Sequence, residues 1–218
     1  WADRFTWWMA IGHIVVGLAL GLFVYRIHSW QAAAIAIGIW APLTMVFNNH
    51  FASGTLPQLW SIAFLLLFLE RFVARSVVWS TLLILIVVIS HPITAALLIV
   101  TLLIVLPSYW INWQHLNTKE RTLVQMITGS MVVIGSYIAY TYIIRGSVNL
   151  FWDGPHIGFQ TLLTSEIAPW VLLSIPGWII FQRICIMRPM TIALWNTLGL
   201  LTFALALNEQ FGVDVWTY

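Results

Sequence analysis

Apolar residues run along this chain in long blocks separated by short polar breaks, with no sustained alternation of the kind a half-buried strand shows. A membrane span needs about 20 mostly apolar residues, and the blocks are of that order. The first runs from about Phe5 to Tyr25 and stops at Arg26; the second runs from about Trp30 to Phe47 and breaks at Asn48-Asn49-His50. The third extends from about Leu56 to Leu69 and closes on Glu70-Arg71 and Arg75. From Val77 to Ile111 there is no formal charge, and Ser90-His91-Pro92 interrupts the run. Pro92 lacks a backbone donor and clashes with the preceding turn, which predicts two short helices joined by a tight turn. A sixth span is expected from about Thr122 to Ile144. After a long polar-aromatic loop come a seventh from about Pro169 to Phe181 and an eighth from about Met190 to Leu207.

Charge placement tests that count. With Arg26 cytoplasmic and eight alternating spans, Arg26, Arg71, Arg75, Lys119, Arg121, Arg183 and Arg188 all fall inside, and only Arg4 and Arg145 fall outside. This is the asymmetry of the positive-inside rule, and it requires the hairpin at His91-Pro92. The expected fold is therefore all-α, a polytopic transmembrane helical bundle of about eight spans with both termini non-cytoplasmic. Residues 1–218 are expected to form a single transmembrane domain. The opening Trp1-Ala2-Asp3-Arg4 is not the charged n-region of a signal peptide, so the chain is expected either to begin after processing or to be an excerpt of something longer.

Composition agrees with the pattern. Of 218 residues 61% are hydrophobic and only 7% charged, against about 25% charged in an ordinary soluble domain. The 14 Trp residues suit the aromatic belts found at both membrane–water interfaces. Gly17 and Gly21, four apart in the first span, predict close helix approach. A net charge of +2 without any long Lys/Arg run argues against a nucleic-acid partner. The single Cys185 excludes an intramolecular disulfide.

The expected topology gathers chemistry on one side. Asp3, Asp153, Glu166, Glu209 and Asp214 fall outside together with His50, His91 and His156, in several different connections. His91 stands out, because a polar ring between two strongly apolar runs is expensive unless it meets protein or water. His13, within the first span, is a candidate tetrapyrrole ligand. The loop Asn149–Phe159 mixes aromatic rings with Asp153 and His156. It suits an amphipathic segment on the outer leaflet, a groove for a sugar or lipid headgroup, or a re-entrant helix that seals the bundle. No His-x-x-x-His pair, Gly-rich phosphate loop, Gly-x-Ser-x-Gly elbow or Cys-x-x-Cys occurs. The cofactor is left open; His and carboxylate suit a divalent metal, but no residues are assigned to one.

Two stretches carry a family resemblance. His50-Phe51-Ala52-Ser53-Gly54-Thr55-Leu56-Pro57-Gln58-Leu59 runs into an apolar helix, and Ser90-His91-Pro92-Ile93-Thr94 lies between apolar runs. They resemble the Gly-x-x-Pro and His-Pro turns of the GT-C superfamily of polytopic glycosyltransferases and its bacterial and archaeal relatives. The resemblance implies a multi-pass enzyme of a bacterial or archaeal cell membrane that takes a sugar from a polyprenyl-phosphate donor on the extracytoplasmic face. A carboxylate in the first outer loop would be general base. The loop from Asn48 to Leu56 holds no acid, so the base falls to Asp153 or Asp3. Arg145 and Arg4 would face the donor phosphate, and His50, His91, His156, Asn49 and Trp152 would bind substrate. The alternative is a non-catalytic subunit of a larger membrane complex containing pigment or quinone, with lipids and other membrane subunits as partners.

Overall fold

The computed structural model describes residues 2–50 and 56–145, together with Ile179, Asn196, Thr197 and Gly199. Within them the chain is helical and has no strand. The helices are α1 (Ala2–Ile27), α2 (Trp30–His50), α3 (Leu56–Val73), α4 (Val77–Ser90), α5 (Pro92–Ile111) and α6 (Thr118–Arg145), with a short 3-10 turn at Trp113–His115 before α6. Each expected apolar block up to Arg145 is thus one helix. Of the expected seventh and eighth spans only Ile179 and Asn196, Thr197 and Gly199 are described, each helical; the rest lies outside the described residues.

Ring and ion contacts establish the order of the bundle. Trp8 meets Trp60 edge-on at 6.5 Å, and Arg26 reaches Glu70, so α1 and α3 run parallel. Phe72 meets Tyr109 at 6.0 Å, which returns the end of α5 to the end of α3. Arg75 pairs with Glu120, bringing the start of α6 to the same place. The six helices therefore alternate up and down, and the break at His91 is a true reversal. Arg26, Arg71, Arg75, Lys119 and Arg121 share what we call the arginine end. The start of α1, the end of α2, the α4–α5 turn and the end of α6 share the other, the His91 end.

The connections are short. At the end of α3, Ser76 N–H donates to Arg71 O and Arg75 N–H to Phe72 O, a Schellman closure whose left-handed position is usually glycine. Here Arg75 takes it, with φ 56°, and its guanidinium stands 3.5 Å from Glu120 Oε1. His91, extended at φ −157°, is the whole connection between α4 and α5. Pro92 follows at the first helical position, where its missing N–H would have been unsatisfied anyway. At the start of α6, Asn117 Oδ1 accepts from Glu120 N–H and Glu120 Oε2 from Asn117 N–H, each at 3.0 Å, a reciprocal capping box.

Apolar side chains line both the inside and the outside. The core packs Phe23, Phe68, Ile84, Leu98, Leu102 and Ile127 among others. Outward, α1 presents Trp7, Ile11, Ile14, Leu18, Leu22 and Tyr25, and α4 presents Val78, Leu82, Leu85 and Ile89, all exposed. The polar side chains of Ser61, Glu70, Ser80, Thr94, Thr101 and Ser130 are buried instead. Among the described residues one helical stretch, Trp7–Ile27, is long and apolar enough to cross a membrane by length and composition. The 14 residues of α4 reach about 21 Å, short of a hydrocarbon core of about 30 Å. In α3 the last turn is charged at Glu70 and Arg71.

The small residues of α1 set the helix spacing. A Cβ on Gly17 would lie 2.9 Å from Trp40 Cδ1, and one on Gly21 would collide with Ile37, both on α2. Gly12, not singled out by its sequence context, faces α3: its Cβ would come within 2.6 Å of Leu59 Cδ2. The open surface at Gly17 lets the Trp40 indole N–H donate to His13 O at 2.9 Å. Gly17→Ala is therefore expected to destabilise the bundle by about 1–3 kcal/mol through overpacking. Gly38→Ala, where nothing lies within 4 Å, is expected to be neutral or slightly stabilising. Thermal unfolding of the two variants in one detergent checks the contrast.

Candidate functional site

At the His91 end, the helix order brings several expected site residues to one face of the bundle. Asp3 and Arg4 lie in the first turn of α1, Asn49 and His50 close α2, His91 turns between α4 and α5, and Arg145 ends α6. Asp153, Trp152 and His156 lie outside the described residues, as does the rest of the loop around them. Trp7 and Trp8 are exposed beside this end, with Trp8 against Trp60 and Trp60 against Phe64 at 6.3 Å.

His91 is the one of these whose side chain the structure details. Its carbonyl accepts the first hydrogen bond of α5, from Ala95 N–H at 2.9 Å. Its ring is half-buried, and Nδ1 is removed from water with no hydrogen-bond partner among the described residues. Burial lowers its pKa from the usual 6.5, because a charged ring loses hydration there. The ring is thus neutral at pH 7 and presents one acceptor and one donor nitrogen.

The arginine end has the better-defined electrostatics. Glu70 is only 3% exposed. Arg26 Nε donates to its Oε1 at 2.9 Å, and Arg71 Nε makes an ion pair with Oε2 at 2.9 Å. Two guanidiniums thus converge on one carboxylate within the packed end. Across the α3–α4 turn, Arg75 stands against Glu120. Farther along, Arg121 Nη2 donates to Gln114 O at 3.3 Å, and its guanidinium lies 5.6 Å from the Trp113 ring centre. Trp113 in turn stacks on Trp110 at 4.7 Å. The sequence shows Glu70 as a charge at a span end. Its partner, 44 residues away at the end of another apolar block, is visible only once α1 and α3 are known to be parallel.

His13 sits midway along α1, its ring 6.1 Å from that of Trp40 and tilted by 43°. No three His, Cys, Asp or Glu side chains come together as a metal-binding group among the described residues. Comparison of the chain with family models, with curated proteins and with solved structures finds no match.

The lowered His91 pKa has a definite sign. The unfolded ring takes up a proton at about 6.5 and the folded ring only at lower pH. Stability from this group is therefore full above 6.5 and falls as pH drops from that value toward the folded pKa. His91→Asn is expected to flatten this part of the profile. Melting temperatures of both proteins between pH 8 and 5 measure it.

Proposed function

We propose that the chain is a multi-pass integral membrane protein that transfers a sugar from a polyprenyl-phosphate donor at its His91 end. In this reading both termini lie on that non-cytoplasmic side, and the segments at about Pro169–Phe181 and Met190–Leu207 complete eight spans. The observation that carries the membrane part is that apolar side chains line the outside of the bundle as well as its core, with exposed apolar stripes on α1 and α4. In water such a surface is a large unexplained apolar patch; in lipid it is the required one. The two ends of α1 also carry exposed aromatic rings. Trp7 and Tyr25 are 18 positions apart, about 27 Å along a helix, close to the hydrocarbon thickness.

What supports the transfer reading is the convergence of Asp3, Arg4, Asn49, His50, His91 and Arg145 on one end of the bundle. The step itself follows from inverting glycosyl transfer. The acceptor oxygen bonds to the anomeric carbon as the bond from that carbon to the donor phosphate breaks. The acceptor proton passes to a carboxylate, here Asp153 or Asp3. The leaving lipid phosphate keeps the bonding pair, and Arg145 and Arg4 neutralise it. His50, His91, His156, Asn49 and Trp152 would orient the sugar and the acceptor.

The second reading, a non-catalytic subunit of a larger membrane complex, is favoured by a different observation. Both carboxylates whose side chains are described, Glu70 and Glu120, are tied into ion pairs at the opposite end. Asp153→Asn decides between the two. With the base lost, single-turnover sugar transfer from a polyprenyl-phosphate donor is expected to fall by about 10²–10⁴-fold while the melting temperature holds. No transfer by the unsubstituted protein, or equal transfer by the variant with Asp3 also replaced, rejects the enzyme reading. The topology has its own test in a Cys185→Ser background. A membrane-impermeant maleimide applied to intact cells is expected to label Ser90→Cys, and to label Asn117→Cys only after the membrane is opened.

A further inference from the structure

The arginine end holds more positive charge than its own acids use. Five basic side chains, Arg26, Arg71, Arg75, Lys119 and Arg121, stand there against Glu70 and Glu120. Arg26 and Arg71 both spend their Nε on Glu70. Their Nη groups have no partner among the described residues, and their side chains are 45% and 41% exposed. The buried carboxylate therefore works as a bracket. Its Oε1 takes a hydrogen bond from Arg26 Nε and its Oε2 an ion pair from Arg71 Nε, which brings the two guanidiniums to one carboxylate while both side chains stay partly exposed. Paired guanidinium donors of this kind match phosphate oxygens in both charge and geometry.

The surroundings indicate where such a phosphate would come from. Tyr25 precedes Arg26, Trp30 opens α2, Trp79 lies in the first turn of α4, and Trp110 is near the end of α5; all four rings are exposed. They form a belt at the level of the arginines, and the exposed apolar stripes of α1 and α4 begin just beyond it. A site for a water-borne anion has no use for exposed indoles around it. A headgroup at a bilayer surface does, because the rings sit at headgroup depth and the acyl chains follow the stripes.

We propose that Arg26 and Arg71, bracketed by Glu70, bind the phosphate of an anionic phospholipid headgroup at the membrane surface on the arginine end. This rests on the membrane part of the function proposed above and is independent of the transferase part. The site lies at the end opposite His91, and no sugar chemistry is assigned to it.

The test titrates the detergent-solubilised protein with phosphatidylglycerol, phosphatidylcholine or inorganic phosphate, and follows thermal stabilisation. Phosphatidylglycerol is expected to stabilise at a clearly lower mole fraction than phosphatidylcholine. Arg71→Gln should weaken the phosphatidylglycerol response by about tenfold, since a charged hydrogen bond of this kind is worth about that factor, and leave the phosphatidylcholine response unchanged. Glu70→Gln should strengthen it, because it frees both Nε groups and removes the competing charge, even if the variant starts from a lower melting temperature. A merely structural role for the cluster predicts the reverse, with lower stability in both variants and the same lipid midpoint. Equal responses to the two lipids overturn the proposal, and so does inorganic phosphate acting as well as phosphatidylglycerol. The membrane reading is checked apart from this by extraction of native membranes with alkaline carbonate. A chain that stays in the membrane but shows no headgroup preference rejects the lipid site alone.

Discussion

The Glu70 carboxylate is the tie on which the arrangement of helices depends. A helix that is apolar on all sides has little in its own surface to say how far it slides along a neighbour, because one leucine contact is much like the next. An ion pair of 2.9 Å between α1 and α3 admits one register. Once those two helices are aligned parallel, α2 must return between their ends. The α3–α4 turn, held by Arg75 against Glu120, then sets where α6 begins. The carboxylate is deeply buried while its two guanidiniums remain half in contact with the surroundings. The desolvation that usually makes a buried pair unfavourable thus falls mostly on one ion, and two cations share in offsetting it.

Close backbone approach does the rest. Gly12 admits Leu59 of α3, and Gly17 and Gly21 admit Trp40 and Ile37 of α2. α1 thus meets its two neighbours through positions that lack side chains, which lets the backbones approach closely and puts the neighbours in van der Waals contact. The hydrogen bond from the Trp40 indole to His13 O satisfies a donor that would otherwise be stranded among apolar groups. His13, whose mid-span position drew attention as a tetrapyrrole ligand, has a packing role through its backbone.

The helices themselves were readable from the chain because each break carries its own chemistry: Arg26 and Ser29 after the first, Arg75-Ser76 after the third, His91-Pro92 between the fourth and fifth. The reversal at His91 followed from charge bookkeeping, since only a hairpin puts Lys119 and Arg121 with Arg26. Helix ends were less legible. α1 and α3 continue past Tyr25 and Leu69, where the apolar blocks end, because Arg26 and Glu70 meet in an ion pair within the fold, and α6 starts early because Asn117 and Glu120 cap it. Gly12 carried no signal of its own, as its partner Leu59 is ordinary in sequence. The candidate site was legible only as a shared end: helix order groups Asp3, His50, His91 and Arg145, but no periodicity states how their side chains are aimed. The proposed base Asp153 lies in a stretch of sequence without any repeating pattern from which position could be inferred.

The one-residue connection at His91 bears on how such a chain is made. Fourteen residues of α4 are too few to settle across a bilayer by themselves, and a single extended residue gives no slack for α5 to follow later. If the chain spans the membrane as proposed, the two helices leave the insertion machinery as a closed pair, with the turn crossing the apolar layer first. A neutral imidazole at the tip makes that crossing far easier than a charged side chain would. On that reading, the ring proposed to bind substrate in the finished protein is also the polar group that the growing hairpin would carry through.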